Sequence, residues 1–316
     1  MNKQSGELLA IGGAYIDINV PNFPISEQGL QLETETVGRR YITELGGSAV
    51  NFARLCSSLE IPTTFVGKVG QDEFGEMFSR LLTEHDITPA LTTSPDVSTN
   101  IGFNMVNEQG KSIMAVAGTA NQALTPEEVY AQVSERLDTS AYLFIGGCFK
   151  LNTLLPAFVR LVDQAKDAGV QIVLDHNRIT STATEQEKEV VRQLALSANL
   201  YLPSADEFME LWQVASIEDG LRQLARRTSA TIVVKDSDKG AVTMVDGQVI
   251  TTPAFQVTPI HTIGAGDSFD AGVVAALHKG KTLQHSIRFG CATAALKISK
   301  ESLPSFTEVE SFMAAR

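Results

Sequence analysis

The chain has 316 residues and a mass of 34.0 kDa, with 43% hydrophobic and 20% charged residues. This composition fits one large domain or two modest ones with a filled core, and it excludes a disordered, collagen-like or disulfide-scaffolded chain. With 25 Lys and Arg against 37 Asp and Glu, the formal net charge is −12, so no nucleic-acid partner is expected.

Cysteine usage and hydropathy indicate in which cellular compartment the protein is expected. Cys56, Cys148 and Cys291 lie far apart without CxxC spacing, so neither a zinc site nor paired disulfides are predicted. No apolar run approaches the ~18 residues of a membrane span, and the N-terminal apolar stretch is too short for a signal peptide. We therefore expect a cytoplasmic protein with no membrane partner.

Short β-rich apolar runs alternate with segments of helical period along most of the chain. The runs are Leu8–Ile11, Thr64–Val66, Tyr142–Ile145, Gln171–Leu174 and Thr231–Val234. Apolar residues at helical spacing mark helices that include Phe52, Phe74 and Phe269. This alternation predicts an α/β fold with a mostly parallel sheet and helices on both faces. Since no linker or repeat divides the chain, one domain is predicted over residues 1–316.

Two stretches interrupt the alternation, at about residues 15–44 and 97–119. In the second, IGFNMV and SIMAVA flank the polar segment 107–110, which is the pattern of a hairpin. The two stretches predict a small inserted β-sheet that serves as an active-site lid. Surface hairpins without a function are the alternative.

The segment HTIGAGDSFDAG, residues 261–272, predicts a phosphate-binding turn. Thr262 to Asp267 form a turn of small residues that runs directly into a helix, so backbone amides at its N-terminus can converge on an anion. Asp267 then lies in the first turn, where it could accept a proton from a substrate hydroxyl while the amides hold a phosphoryl group. An Asp that only caps the helix is the alternative.

Two familiar phosphate motifs do not fit. No Gly follows Gly266 at the spacing of a Rossmann fingerprint, which sets aside a dinucleotide-dependent oxidoreductase. Gly280-Lys281-Thr282 resembles the end of a P-loop, but Ala275 stands where the first Gly of that motif should be.

Two glycine pairs near the N-terminus predict a site for a small polyhydroxyl ligand. Gly12-Gly13 follows the first strand, and Gly46-Gly47 opens the helix that includes Phe52. Glycines let the backbone approach a ligand, and Asp17 and Asn51 offer a carboxylate and an amide for neighbouring hydroxyls. A turn Asp and a satisfied helix Asn are the alternatives.

From Gly12 to about Pro304, these motifs resemble the ribokinase-like, or PfkB-type, carbohydrate kinases. GGSAVNFA at 46–53 with GKVGQDEFG at 67–75 is similar to the family's N-terminal signature, and TIGAGDSFDAG at 262–272 to its C-terminal signature. The resemblance implies a three-layer α/β/α sandwich, ATP and Mg²⁺ as cofactors, and a homodimer paired through its lids.

The resemblance also implies a role for each matching residue. Asp267 would be the general base, with the anion-hole amides of Gly264, Ala265 and Gly266 beside it. The sugar-binding positions would be Asp17, Gly46, Gly47 and Asn51. Glu207, in PSADE at 203–207, would organise Mg²⁺, and the nucleotide would face Lys235, Ser237 and Gly240.

Three departures from the family pattern have consequences. His261 replaces an Asp associated with a monovalent-cation site, so we predict little dependence on K⁺, with a protonated imidazole supplying part of the missing charge. Ser237 stands where the family usually has Gly. In DHNR at 175–178, Arg178 comes one residue early and receives no role, whereas Asp175 and Asn177 are expected near the site.

These inferences predict an ATP-dependent kinase that phosphorylates a hydroxyl of a small sugar or sugar acid. A nucleoside kinase of the same family is the nearest alternative, because the same scaffold accepts a base above a ribose. A catalytically weak sugar-binding regulator is the alternative from another class, and only His261 and Ser237 favour it.

Overall fold

The structure is a computed structural model that describes residues 6–23, 38, 40–107 and 112–316. The strands are β1 (Glu7–Ile11), β2 (Tyr15–Pro21), β3 (Ile42–Gly46), β4 (Thr63–Gly70), β5 (Ile87–Ser94), β6 (Asn100–Val106), β7 (Ser112–Ala117), β8 (Ser140–Gly146), β9 (Gln171–Asp175), β10 (Leu200–Tyr201), β11 (Thr231–Lys235), β12 (Ala241–Val245) and β13 (Gln248–Thr252). The α-helices are α1 (Ser48–Ser58), α2 (Glu73–Glu84), α3 (Pro126–Ser134), α4 (Leu155–Asp167), α5 (Glu185–Ser197), α6 (Ala205–Trp212), α7 (Ile217–Leu224), α8 (Ala265–His278), α9 (Leu283–Ser299) and α10 (Phe306–Ala314). Short 3-10 helices cover Cys148–Leu154 and Ser237–Lys239.

Nine strands form one large sheet in the order β13-β12-β11-β10-β9-β8-β1-β4-β5. Neighbouring strands from β11 to β5 are parallel, while β12 and β13 add an antiparallel edge. All five predicted strands lie within strands of this sheet. The predicted α/β fold with a mostly parallel sheet is confirmed.

Helices cover both faces of the large sheet because its inner strands are buried on both sides. Along β1, Leu8 and Ala10 pack into one core, whereas Leu9 and Ile11 pack into the other. Helices α1, α2 and α8 to α10 contribute to the first core, and α3 to α7 contribute to the second. The period-2 alternation of strand side chains therefore produces the predicted three layers.

The two predicted lid stretches together supply a second, four-stranded sheet in the order β3-β2-β6-β7. Strands β2 and β3 come from the first stretch, and β6 and β7 from the second. The antiparallel pairing of β6 with β7 confirms the predicted hairpin, although the turn at 108–111 lies outside the described residues. Residues 24–37 and 39 of the first stretch lie outside them as well.

Several helix starts follow from local sequence. Reciprocal capping boxes, in which a hydroxyl and a Glu three residues later satisfy each other's backbone amides, begin α3, α5, α6 and α10.

Cys56, Cys148 and Cys291 are buried and free. In the described part of the chain, no helix has the length and apolar character needed to cross a membrane.

Candidate active site

The carboxylate of Asp267, the third residue of α8, faces the N-terminal end of α1. Ser48 Oγ donates a hydrogen bond to Asp267 Oδ1 at 2.5 Å, and Asn51 Nδ2 donates one to Oδ2 at 3.1 Å. Ser48 and Asn51 are three residues apart on one helix, so both can face the same group. Sequence reasoning missed Ser48, although it stands inside the GGSAVN motif. Asn51 was predicted to bind the sugar, and that role stays a prediction.

Asp267 has the electrostatic properties of a proton acceptor near neutral pH. Burial raises the pKa of Asp267 to about 6, and the hydrogen bond from Ser48 opposes this rise. The Asp175 carboxylate also raises this pKa, whereas Lys235 lowers it. A carboxylate of this kind is ionised at neutral pH yet basic enough to take a proton from a hydroxyl.

Backbone amides beside Asp267 are available to an anion. The first hydrogen bond within α8 runs from Ser268 N to Gly264 O. The amides of Gly266 and Asp267 come before it and have no acceptor within the helix. Gly264 caps the helix with φ 75°, a left-handed conformation that favours glycine. The Ala265 amide donates to Thr262 O at 3.3 Å. Of the predicted anion-hole amides, those of Gly264 and Gly266 have no acceptor among the described residues.

Glycines bring α1 close to the end of β1. Gly47 caps α1 with φ 103°, and a Cβ there would lie 2.4 Å from Gly13 O. A Cβ on Gly12 would lie 2.2 Å from the Cβ of Ala49. Since real Cβ atoms do not approach so closely, these positions require glycine for α1 to pack this close to the end of β1.

Asp17 lies on the four-stranded sheet in a slot made by two further glycines. A Cβ on Gly46 or on Gly102 would lie 2.3 Å from an oxygen of the Asp17 carboxylate. The pKa of Asp17 is raised to about 6, mainly by burial and also by the Glu44 carboxylate, and the Lys150 ammonium opposes this rise. Gly46 makes room for the Asp17 carboxylate, and its contact with the sugar stays a prediction. Gly102 was missed because its partner is distant in sequence.

A row of polar side chains extends from Asp17 along the same face of the small sheet. Asn19 Nδ2 donates to Glu44 Oε1 at 2.6 Å, and Asn104 Nδ2 donates to Asn19 Oδ1 at 3.0 Å. Asn104 Oδ1 is buried and accepts no hydrogen bond from the described residues. The strand register places all three residues on the face that carries Asp17. Sequence reasoning missed this row, because only strand pairing reveals it.

Glu207 is the third residue of α6. One of its carboxylate oxygens accepts a hydrogen bond from Ser204 N at 3.1 Å, which closes the capping box of that helix. Burial raises the pKa of Glu207, Asp175 raises it further, and Lys235 lowers it. Glu207 therefore lies in the same electrostatic environment as Asp267, and its metal-binding role stays a prediction.

A protein-family model for pfkB family carbohydrate kinases matches residues 8–308, nearly the whole chain. The chain belongs to this family. The match covers both signatures and every candidate site residue, and it identifies the protein as a carbohydrate kinase, a phosphotransferase.

Curated relatives and solved structures agree with the family. The chain is 25% identical to the 5-dehydro-2-deoxygluconokinase of Bacillus licheniformis, with 98% of this chain and 96% of the relative covered. It is 24% identical to the enzyme of the same name from Bacillus subtilis, covering 99% and 98%. Ribokinase from Thermotoga maritima has the same fold, with a TM-score of 0.80, 20% identity, and 98% and 99% of the chains covered. The fold of Arabidopsis thaliana ribokinase complexed with ribose and ATP is also similar, with a TM-score of 0.79, 20% identity, and 98% and 99% covered.

The turn between β11 and β12 contains two predicted nucleotide-facing residues of this pfkB chain. Ser237 adopts φ 50°, a left-handed conformation, which explains physically why glycine is usual in the family at this position. Gly240 has φ 106°, and a Cβ there would lie 2.0 Å from Thr252 O. The turn therefore requires glycine at position 240, and contact with a nucleotide stays a prediction for Ser237 and Gly240.

The DHNR segment brings its two candidate side chains, Asp175 and Asn177, together. Asn177, with φ 54°, donates from its backbone and side chain to the two oxygens of Asp175. Asn177 Oδ1 is buried and accepts no hydrogen bond from the described residues. Asp175 is buried, whereas Arg178 is exposed.

His261 does not carry the positive charge that the sequence suggested. Its Nε2 lies 3.5 Å from Lys297 Nζ at the end of α9. Burial lowers the pKa of His261, and the Lys297 ammonium lowers it further. The imidazole is therefore neutral near pH 7, and the fixed positive charge at this place belongs to Lys297.

Proposed function

We propose that this carbohydrate kinase uses ATP and Mg²⁺ to phosphorylate a hydroxyl of a small sugar or sugar acid. The observation that carries the proposal is the position of Asp267. Its carboxylate is held by two donors from α1 and lies in the same helical turn as free backbone amides. A base and an anion hole at one helix N-terminus are what in-line phosphoryl transfer requires.

The chemistry follows from this arrangement. A substrate hydroxyl that donates to Asp267 gives up its proton to that carboxylate as its oxygen attacks the γ-phosphorus of ATP. The bond from the γ-phosphorus to the bridging oxygen breaks, and ADP leaves. The amides of Gly264 and Gly266 stabilise charge on the transferring phosphoryl oxygens, where preorganised donors are most effective. Ser48 and Asn51 hold the base in place.

The residues present fit a magnesium ion. Mg²⁺ prefers hard oxygen ligands, retains several waters, and usually takes one or two carboxylates together with substrate phosphates. Glu207 supplies such a carboxylate, half-buried and close enough to Asp175 and Lys235 for their charges to shift its pKa. Glu207 would hold the ion directly or through water. The ion would neutralise negative charge on the phosphates.

Asp17 and its polar neighbours support a polyhydroxyl substrate. Asp17, Asn19, Glu44 and Asn104 give the small sheet a row of acceptors and donors suited to several hydroxyls. The names of the curated relatives, which denote a gluconate-type acid, support sugar acids as candidates. The nearby Lys150, which lies 5.6 Å above the Tyr15 ring, is a cation that a substrate carboxylate could use.

The proposal extends to the whole protein. It includes one kinase domain over residues 1–316, a cytoplasmic location, and a homodimer paired through the small sheets. The relatives support the domain assignment, since they match over nearly their whole length.

A coupled ADP-release assay tests the function. Purified protein is given Mg²⁺ and ATP with a panel of neutral sugars, sugar acids and nucleosides. We expect ADP release above background with a sugar or a sugar acid, and abolition of that release by EDTA. ADP release with nucleosides alone would replace the proposal with a nucleoside kinase. No release with any member would favour a sugar-binding regulator.

A further inference from the structure

A buried group of three ionisable side chains lies beneath the anion-hole turn, and burial raises the pKa of the Asp270 carboxyl well above its ordinary value. Lys235 Nζ donates to Asp175 Oδ2 at 2.8 Å and lies 3.0 Å from each oxygen of Asp270. The side chains of Lys235, Asp175 and Asp270 are 11%, 1% and 0% exposed. They come from the ends of β11 and β9 and from the second turn of α8, so the group joins three separate elements.

The hydrogen bonds of Lys235 leave little capacity for a ligand. An ammonium has three N–H donors, and the structure provides three aspartate oxygens within 3.0 Å of Nζ. Binding a nucleotide phosphate would require Lys235 to give up an aspartate in a buried environment. Leaving a buried carboxylate without its partner is strongly unfavourable. A direct nucleotide contact, as the sequence predicted, is therefore costly for this side chain.

The ammonium nevertheless lies close to the reacting groups. A Cβ built on Gly266 would be 3.7 Å from Lys235 Nζ, so the charge lies directly behind the first turn of α8. Asp267 follows Gly266, and Asp270 lies three residues further along the same helix. The charges of Asp175 and Lys235 also act on the Glu207 carboxylate.

We propose that Lys235 is a positioning residue whose buried ammonium, clamped by Asp175 and Asp270, fixes the first turn of α8 and places a permanent positive charge behind the phosphoryl site. The inference rests on the proposed kinase function. A fixed charge in a buried site acts through a low dielectric, so it interacts with developing negative charge more strongly than a charge in water.

The same placement predicts how the general base responds to substitution. The groups that face Asp267 are Ser48 and Asn51 on α1, Asp175 on β9 and Lys235 on β11. Lys235 lowers the pKa of Asp267, and Asp175 raises it. Removing the ammonium should therefore raise the pKa of the base, whereas removing the Asp175 charge should lower it.

The test compares Lys235→Met, Asp175→Asn and the control Lys279→Met. Lys279 lies just beyond the far end of α8 and pairs with the exposed Glu60 at 2.8 Å. Lys235→Met should lower kcat on the order of 10²-fold, as loss of a preorganised charge does, with little change in KM for ATP. The acidic limb of its pH profile should move to higher pH, and that of Asp175→Asn to lower pH. Lys279→Met should match the wild type.

Several outcomes would overturn the inference. Wild-type kcat in Lys235→Met would remove the lysine from the mechanism, and a raised KM for ATP with unchanged kcat would make it a nucleotide ligand. If the acidic limbs of Lys235→Met and Asp175→Asn moved in the same direction, the shifts would indicate a general loosening of the site. If Lys235→Met does not fold, two other variants still test the inference. The acidic limb of the pH profile of Asp175→Asn must move to lower pH, and Lys235→Arg must retain kcat.

A second readout separates this inference from the kinase proposal. Carboxyl carbon-13 NMR titration follows Asp267 directly, with Asp267→Asn to assign its signal, and needs no turnover. If the wild type phosphorylates nothing, the proposed function fails. Opposite shifts of the Asp267 titration in Lys235→Met and Asp175→Asn would still support the placement of the Lys235 charge behind Asp267. Unchanged titration in both variants would reject that placement even in an active enzyme.

Discussion

At the scale of single residues, Asp267 combines catalytic value with a cost in stability. Its pKa of about 6 lies above the ordinary value of 3.8, so the folded state binds a proton more tightly than the unfolded state. Stability from this group is therefore greatest below about pH 4 and falls as pH rises through about 6. The charged form needed for catalysis is the form that folding disfavours, a common trade-off at active sites.

Asp267→Asn should separate these two effects. We expect kcat to fall by roughly 10²–10⁴-fold, because an amide cannot accept the proton. At about pH 8 the variant should have a higher Tm than the wild type, and the difference should vanish below about pH 4. Kinetics and thermal melts across this range measure both. The exposed Asp96→Asn is the control, and retention of more than half the wild-type kcat would contradict the assignment.

His261 and Lys297 give a second prediction at this scale. Because an ammonium already lies beside the loop that precedes the anion hole, activity should depend little on K⁺. The measurement is kcat/KM in K⁺ and in a large organic cation at equal ionic strength, for the wild type and for His261→Asp. Activation by K⁺ should appear only in His261→Asp, and several-fold activation of the wild type would disprove the idea.

At the scale of elements, the small sheet positions Asp17 through glycines that leave room for its carboxylate. Gly102 pairs with Asp17 across β2 and β6, and Gly46 comes from the neighbouring strand β3. A side chain at either position would occupy the space of the carboxylate. The two glycines thus leave the space that the Asp17 carboxylate occupies.

Gly102→Ala tests this arrangement. The added methyl group would begin 2.3 Å from Asp17 Oδ1, so the carboxylate must move. Overpacking of this kind typically costs about 1–3 kcal/mol of folding stability. Because the displaced carboxylate would lose its contact with the sugar, we expect the sugar KM to rise roughly 5–150-fold, the factor that a loss of about 1–3 kcal/mol in binding free energy gives. The KM for ATP should stay unchanged, since the nucleotide is expected at the other end of the site. Steady-state kinetics with each substrate varied in turn would show the split, and equal changes in both KM values would contradict it.

At the scale of the whole molecule, the small sheet has a second, apolar face. Ile18, Phe103 and Ala115 align across β2, β6 and β7 on the side opposite to Asp17. Phe103 is 37% exposed, and the edge strands β3 and β7 have unpaired outer edges within the described residues. Apolar faces and open edges favour association with another sheet.

We therefore predict a homodimer formed through this face. Sedimentation at tens of micromolar should give twice the chain mass of 34.0 kDa. Phe103→Glu should give the mass of one chain, because it would bury a charge in the interface. Val245→Glu, at a position that is also 37% exposed, should leave the dimer intact. A monomeric wild type would refute the dimer but not the kinase function.

The sequence by itself determined what depends on neighbouring residues. Strand and helix periods predicted the α/β layers, and a glycine-rich turn before Asp267 predicted a helix N-terminus with free amides, because both are properties of local backbone geometry. Only the tertiary structure decided which distant groups meet. Ser48 and Asp267 are 219 residues apart, and Lys235 reaches both Asp175 and Asp270 only because β9, β11 and α8 converge. Such contacts depend on strand order and helix packing, which local periodicity does not encode.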